Sequence, residues 1–194
     1  MVVKFMIQYS IVYTSDVHGN EIQYRKVIDF ACSHSVDALI FGGDIAPKGM
    51  KPEVFIKGQR SFFEQTLPDL LKPLQGTKTK VYLMMGNDDC KTNMDVLEEN
   101  AQGRYTVIHD KRVSLTPDID LVGYSCVPIT PFGIKDWEKF DLTVVPDAVA
   151  QKYKKRKRSN YNLDGWKTAD DQWVPFRFTP EMEVKDSIHQ DLER

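Results

Sequence analysis

Histidine is scarce in this chain: His18, His34, His109 and His189 are the four in 194 residues. A site built from several imidazoles must draw on these positions. Cysteine is scarcer still. Cys32, Cys90 and Cys126 are an odd number at wide spacing, which disfavours a disulfide framework and fits a reducing, cytoplasmic compartment. No C-x-x-C pair is present, so Cys90 reads as inert although it follows two aspartates. No run approaches the roughly 20 continuous apolar residues of a membrane span. A net charge of −2 points to neither a nucleic-acid binder nor a membrane-surface protein. The opening M-V-V-K-F-M-I-Q-Y-S is apolar but short, without a basic leader or small-residue cleavage site. It reads as the start of a strand rather than a signal peptide. No internal repeat is visible.

What is present suits one domain with a real core: 41% of residues are hydrophobic and 28% charged. The first strong signal is I-V-Y-T-S-D-V-H-G-N, residues 11–20. Its β-branched and aromatic start has the composition of a buried strand. Residues 21–33 follow with roughly helical apolar spacing at Ile22, Val27, Ile28, Phe30 and Ala31, and Asn20 is their expected N-cap. Residues 38–41 form a second strand, completing a βαβ unit with parallel strands. A polar Gly/Pro/Lys loop spans 48–52. One helix is expected over 55–74, bent near Pro68 and ended by Gly76. Residues 80–85 read as a third buried strand and 92–100 as a helix capped by Thr92 or Asn93. Short strands are expected at 105–109, 113–116 and 119–125, with 111–116 and 118–125 paired as a hairpin across Pro117-Asp118.

Beyond residue 127 the pattern loosens. Residues 1–127 read as a core and 128–180 as an irregular aromatic and basic insertion resembling a cap, with one terminal helix over 181–194. The run K-Y-K-K-R-K-R at 152–158 suits a clamp for a phosphate-rich ligand, but in an otherwise acidic chain it reads better as a solvated face. Met182, Val184, Ile188 and Leu192 are the apolar positions of the terminal helix.

Three expected strands each end in chemistry. Asp16 and His18 follow the first, two apart, so that an extended backbone would turn both side chains to one face. Gly42-Gly43-Asp44 ends the second and Gly86-Asn87-Asp88-Asp89 the third. Ligands of open parallel sheets bind outside such carboxyl ends, and Asp, His, Asp and Asn are oxygen and nitrogen donors suited to Mn²⁺, Fe²⁺, Zn²⁺ or Mg²⁺.

Taken together, Asp16-Val17-His18-Gly19-Asn20, Gly42-Gly43-Asp44 and Gly86-Asn87-Asp88-Asp89 resemble the first three motifs of the calcineurin-like metallophosphoesterases. That resemblance implies an α/β fold, an α/β/β/α sandwich, and two divalent metal ions that hydrolyse phosphomonoesters or phosphodiesters. It implies that Asp16 and His18 bind the first metal, that Asp44 bridges both, and that Asn87 binds the second. Asn20 and Asn87 are the expected contacts to substrate phosphate, and Asn87 and Asp88 the expected catalytic pair. Two metals would lower the pKa of a bound water and neutralise charge on the phosphoryl oxygens.

The chain departs from the family pattern twice. Where many members have a histidine after the third-motif asparagine, it has Asp88. A carboxyl group acts as an acid only with a raised pKa, which nearby cations oppose, so Asp88 is expected either to limit turnover to good leaving groups or to bind the second metal. The family's downstream histidine motifs also find no match: His109 and His189 are expected at an edge or exposed, outside the site. The sandwich is therefore expected to be incomplete on its C-terminal side, the chain being an N-terminal fragment. A catalytically inactive scaffold for protein binding is the alternative function; a nucleic-acid binder rests on the basic run alone.

Overall fold

The alternation of side chains along parallel strands divides the core in two. The structure, a computed structural model, describes residues 8–141 and 162–193. The basic run at 152–158 lies outside the described residues. Strands β1 (Ile11–Thr14), β2 (Ala38–Gly42), β3 (Lys80–Met84) and β4 (Thr106–Val107) form one sheet in the order β1-β2-β3-β4, every pair parallel. Of the opening residues expected to start the first strand, 8–10 precede it and 1–7 lie outside the described residues. Ser10 is taken up by a cap instead: its N–H and its hydroxyl both donate to the Asp37 carboxylate at 2.8 Å.

With the strands in sequential order, right-handed crossovers bring their helices to the same face. Leu39, Phe41, Val81, Leu83 and Val107 point to that face. They meet Tyr24, Ile28 and Ala31 of α1 (Glu21–Ser33) and the apolar side of the second helical segment. Ala38, Ile40 and Tyr82 point the other way, against Val113, Leu115 and Leu121 of the antiparallel hairpin β5–β6 (Lys111–Thr116 and Ile119–Gly123).

Helix α1 starts where expected, with Asn20 Oδ1 accepting from the N–H groups of Ile22 and Gln23. Its inward stripe, however, is Tyr24, Ile28 and Ala31, while Ile22 and Phe30 are exposed. The expected single helix over 55–74 begins earlier and is broken differently. Pro52 opens α2 (Pro52–Ser61) at a position that needs no amide donor. A π-helical turn over Phe62–Thr66 leads into α3 (Leu67–Leu71), with the Leu67 N–H reaching the Phe62 carbonyl, and a 3₁₀ turn, Lys72–Leu74, closes the run. Pro68 has no N–H for the carbonyl four residues back and its ring crowds it; widening the preceding turn by one residue accommodates that without a sharp kink.

A 3₁₀ turn at Lys91–Asn93 precedes α4 (Met94–Glu99). Asn93 stands at the cap position but makes no capping bond; its buried amide donates to the Ile56 carbonyl at 3.0 Å. Beyond the β5–β6 hairpin, β7 (Val127–Pro128) pairs in parallel with β8 (Glu138–Lys139). The aromatic stretch expected to be irregular holds a regular antiparallel hairpin, β9 (Asp164–Ala169) and β10 (Gln172–Arg177). Its two-residue turn is Asp170-Asp171, both with positive φ, 48° and 59°. Aspartate tolerates that region, but Asp-Asp is a weaker turn signal than Asn-Gly or Asp-Gly. Trp173 anchors the hairpin by donating Nε1–H to the Pro52 carbonyl at 2.9 Å.

The terminal segment is two short helices, α5 (Pro180–Lys185) and α6 (Ile188–Leu192), not one. Asp186 leaves the helical region, and Ser187 starts afresh with a capping box to Gln190. The Ile188 N–H meanwhile donates to the Phe140 carbonyl at 2.8 Å, drawing the backbone sideways. Ile188 is buried and Leu192 is exposed.

Leu83, fully buried in β3, is the position at which the fold is most simply tested. Leu83→Ala is expected to lower unfolding free energy by about 2–5 kcal/mol in urea titration, whereas exposed Ile22→Ala should change it by less than about 0.5 kcal/mol.

Candidate metal centre

The loops leaving β1, β2 and β3 lie side by side at the carboxyl edge of the sheet, stitched by backbone hydrogen bonds. Asp16 N–H donates to the Gly43 carbonyl at 3.0 Å, His18 N–H to the Asp44 carbonyl at 2.8 Å and Gly19 N–H to the Ile45 carbonyl at 2.9 Å. To make this ladder the backbone turns left-handed: φ is 57° at Asp16, 44° at His18 and 52° at Asp44. The strand has already ended at Thr14. Asp16 and His18 therefore do not share a face through extended geometry, as their spacing suggested; the left-handed turn brings them together. Such residues each carry strain on the order of 1–3 kcal/mol and concentrate at functional sites.

The third loop closes in because of two glycines. A Cβ on Gly86 would lie 2.3 Å from Asp44 Oδ1, and a Cβ on Gly43 would lie 3.1 Å from Gly86 Cα. With no side chain between them, Asp88 N–H donates to Asp44 Oδ1 at 2.8 Å.

Asp16, His18 and Asp44 each then offer a donor atom such that all lie within 4.8 Å of one another. Two carboxylates and an imidazole make an oxygen–nitrogen set that a divalent ion fits. Electrostatics agree. The Asp44 carboxyl is held above its ordinary pKa chiefly by burial, with the charges of Asp88 and Asp16 adding to it, against the Asp88 N–H bond and His18. His18 Nδ1 is buried and has no hydrogen-bond partner among the described residues. A bound cation would relieve the repulsion between the carboxylates.

Asn87 stands beside this cluster, its amide donating to Asp88 Oδ1 at 3.3 Å. Asn20 commits its Oδ1 to the α1 cap. His109 and His189 are not among the three clustered donors; His109, expected at an edge or exposed, is half-buried. His109 follows β4, where its Nδ1 accepts from the Ser125 N–H at 3.1 Å and its ring meets Trp137 edge-on; burial lowers its pKa. His189 pairs with Glu193. Cys90 is buried, and burial raises its thiol pKa, as suits an inert residue.

Three supports escaped sequence reasoning. Gln59 is fully buried; its amide donates to the Pro47 and Asp88 carbonyls at 3.2 and 2.8 Å and accepts from Cys90 N–H at 2.7 Å. A polar residue on the face that Phe55, Ile56 and Phe63 define was the available signal. Lys48, assigned to an exposed loop, brings its Nζ to 2.8 Å from His18 Nε2 and 3.8 Å from Asp88 Oδ2. Asp89 is wholly buried and accepts N–H bonds from Ile45, Ala46 and Gly86 at 3.0, 2.8 and 2.8 Å, while its own carbonyl accepts from Trp137 Nε1.

A sequence model of the family described as calcineurin-like phosphoesterase matches residues 9–177, and the chain belongs to that family. No curated protein matches it. Among solved structures, TT1561 of Thermus thermophilus aligns with a TM-score of 0.42 at 12% identity, over 87% of this chain and 88% of that one. The mixed α/β architecture with a parallel sheet agrees with the family fold. Among the described residues no helix is long and apolar enough to cross a membrane.

Burial lifts the Asp89 pKa from the ordinary aspartate value to about 7, against the three N–H bonds that lower it. The folded chain then holds a proton that the unfolded chain has released, so this group alone makes stability fall as pH rises from about 4 to about 7. Asp89→Asn is expected to flatten that slope in metal-free urea titrations at a series of pH values, while lowering overall stability through the imperfectly matched amide.

Proposed function

We propose that this chain is a metal-dependent phosphoesterase acting on phosphomonoesters or phosphodiesters through a dinuclear centre. Asp16 and His18 would hold the first ion, Asp44 would be shared, and Asn87 would serve the second. The observation that carries this reading is the convergence of Asp16, His18 and Asp44 donor atoms within 4.8 Å on left-handed loops. The left-handed turns serve the backbone ladder between the loops, whereas crowding two carboxylates beside an imidazole serves no bond of that ladder and costs repulsion. Divalent ions bound there supply water activation and neutralisation of phosphoryl charge; Mn²⁺, Fe²⁺, Zn²⁺ and Mg²⁺ all suit the donor set.

The chain's own residues supply position. Asp44, fixed by the Asp88 N–H, holds one carboxylate oxygen in a set direction. In this reading the amides of Asn87 and Asn20 donate to phosphoryl oxygens, orienting the phosphorus for in-line attack. Asp88 has two candidate roles, a ligand of the second ion or the proton donor to the leaving group.

Chelator-treated protein is expected to hydrolyse an activated aryl phosphate ester only after Mn²⁺ is restored, and Asp44→Asn should lose at least about a hundredfold in kcat/KM. Absence of bound metal by mass spectrometry together with no turnover would overturn the proposal. Asp88→Ala separates the two roles. Loss confined to esters with poor leaving groups marks a proton donor, whereas equal loss on activated esters marks a metal ligand.

A further inference from the structure

We infer that the Lys48 ammonium is a tethered competitor for the first metal position, holding His18 until a divalent ion displaces it. The inference rests on the metal-centre reading above and concerns the affinity of that centre. An ammonium only donates hydrogen bonds, so the 2.8 Å contact from Lys48 Nζ occupies the lone pair of His18 Nε2. The ring proton of the neutral imidazole must then sit on Nδ1, an atom buried without a partner among the described residues. Neither nitrogen offers a free lone pair in that arrangement. Ligation through either one requires Lys48 to let go.

The contact is built by the fold rather than left to a wandering side chain. Lys48 follows directly on the loop whose backbone is laddered to the first: His18 N–H to Asp44, Gly19 N–H to Ile45. Gln59 pins the carbonyl of Pro47, immediately before Lys48, and the carbonyl of Asp88, whose carboxylate is the second anchor of the ammonium at 3.8 Å. One buried amide thus fixes both the origin of the lysine stem and the position of its partner. The head itself is half exposed, so it can swing into water at small cost once a dication arrives.

A single positive charge held this way partly offsets the crowding of Asp16, Asp44 and Asp88 in the metal-free chain. It also raises the free-metal concentration at which the centre fills, because binding must break the Lys48 contacts and tolerate the residual repulsion between ammonium and ion. Lys48 sets a threshold for loading and leaves the ligand set unchanged.

The test is calorimetric titration of chelator-treated protein with Mn²⁺ and, in parallel, Zn²⁺. Lys48→Met keeps the stem and removes the charge; Lys51→Met, in the exposed residue before α2, controls for net charge. Lys48→Met is expected to bind the first ion roughly five- to tenfold more tightly than wild type, with Lys51→Met unchanged. Equal or weaker binding by Lys48→Met, or an equal gain in Lys51→Met, overturns the inference while leaving the metal centre intact. Failure of all three proteins to take up either ion overturns both together.

Discussion

A buried carboxyl group holds the ligand-bearing edge of this protein together. Asp89 reaches across from the β3 loop to accept the amides of Ile45 and Ala46 in the β2 loop, and turns the third-motif loop on itself through Gly86. Gln59 reinforces the joint from the helical side. Burying a carboxyl costs free energy unless its oxygens are matched, and here three backbone donors match them. Trp137 seals the arrangement by donating to the Asp89 carbonyl. The positions of Asp44 and Asn87 follow from this joint, because each is a direct chain neighbour of a residue that makes one of its bonds.

The centre beside the joint is a local excess of negative charge on strained backbone. The rest of the molecule supplies the stabilisation. The helical face of the sheet packs Leu39, Phe41, Val81 and Leu83 against α1 and the α2–α3 segment, and the β5–β6 hairpin covers Ala38, Ile40 and Tyr82. Apolar burial of this kind contributes about 1.5–3 kcal/mol per large side chain, enough to offset several left-handed residues. The β9–β10 hairpin adds a polar brace. Asp136 accepts from the Lys91 N–H and from the Thr168 N–H and hydroxyl, so the segment after the third motif is fastened to a hairpin far along the chain.

The parts of the fold visible in the sequence were those set by local pattern. β-branched runs ending in glycine and aspartate marked β1, β2 and β3, Asn20 marked the start of α1, and the β5–β6 hairpin announced itself through Pro117-Asp118. Asp16, His18 and Asp44 were legible as candidate ligands because each follows an apolar strand. Their geometry was not, since extended spacing suggested a shared face where a left-handed turn does the work. Lys48, Gln59 and Asp89 act through His18, Asp88 and Ile45, which lie 30, 29 and 44 residues away, and no periodicity encodes such pairings. The Asp170-Asp171 turn and the break at Ser187 were hidden for the opposite reason: weak local signals there are decided by tertiary contacts, Trp173 on Pro52 and Ile188 on Phe140.

The left-handed backbone at the ligand positions has an evolutionary consequence. Glycine or asparagine at Asp16 would relieve both the dihedral strain and the mutual repulsion of the carboxylates. Selection for folding alone would therefore favour replacing Asp16. Asp16, with its left-handed φ and its carboxylate beside that of Asp44, is thus where the candidate centre sets the placing of a donor atom against stability.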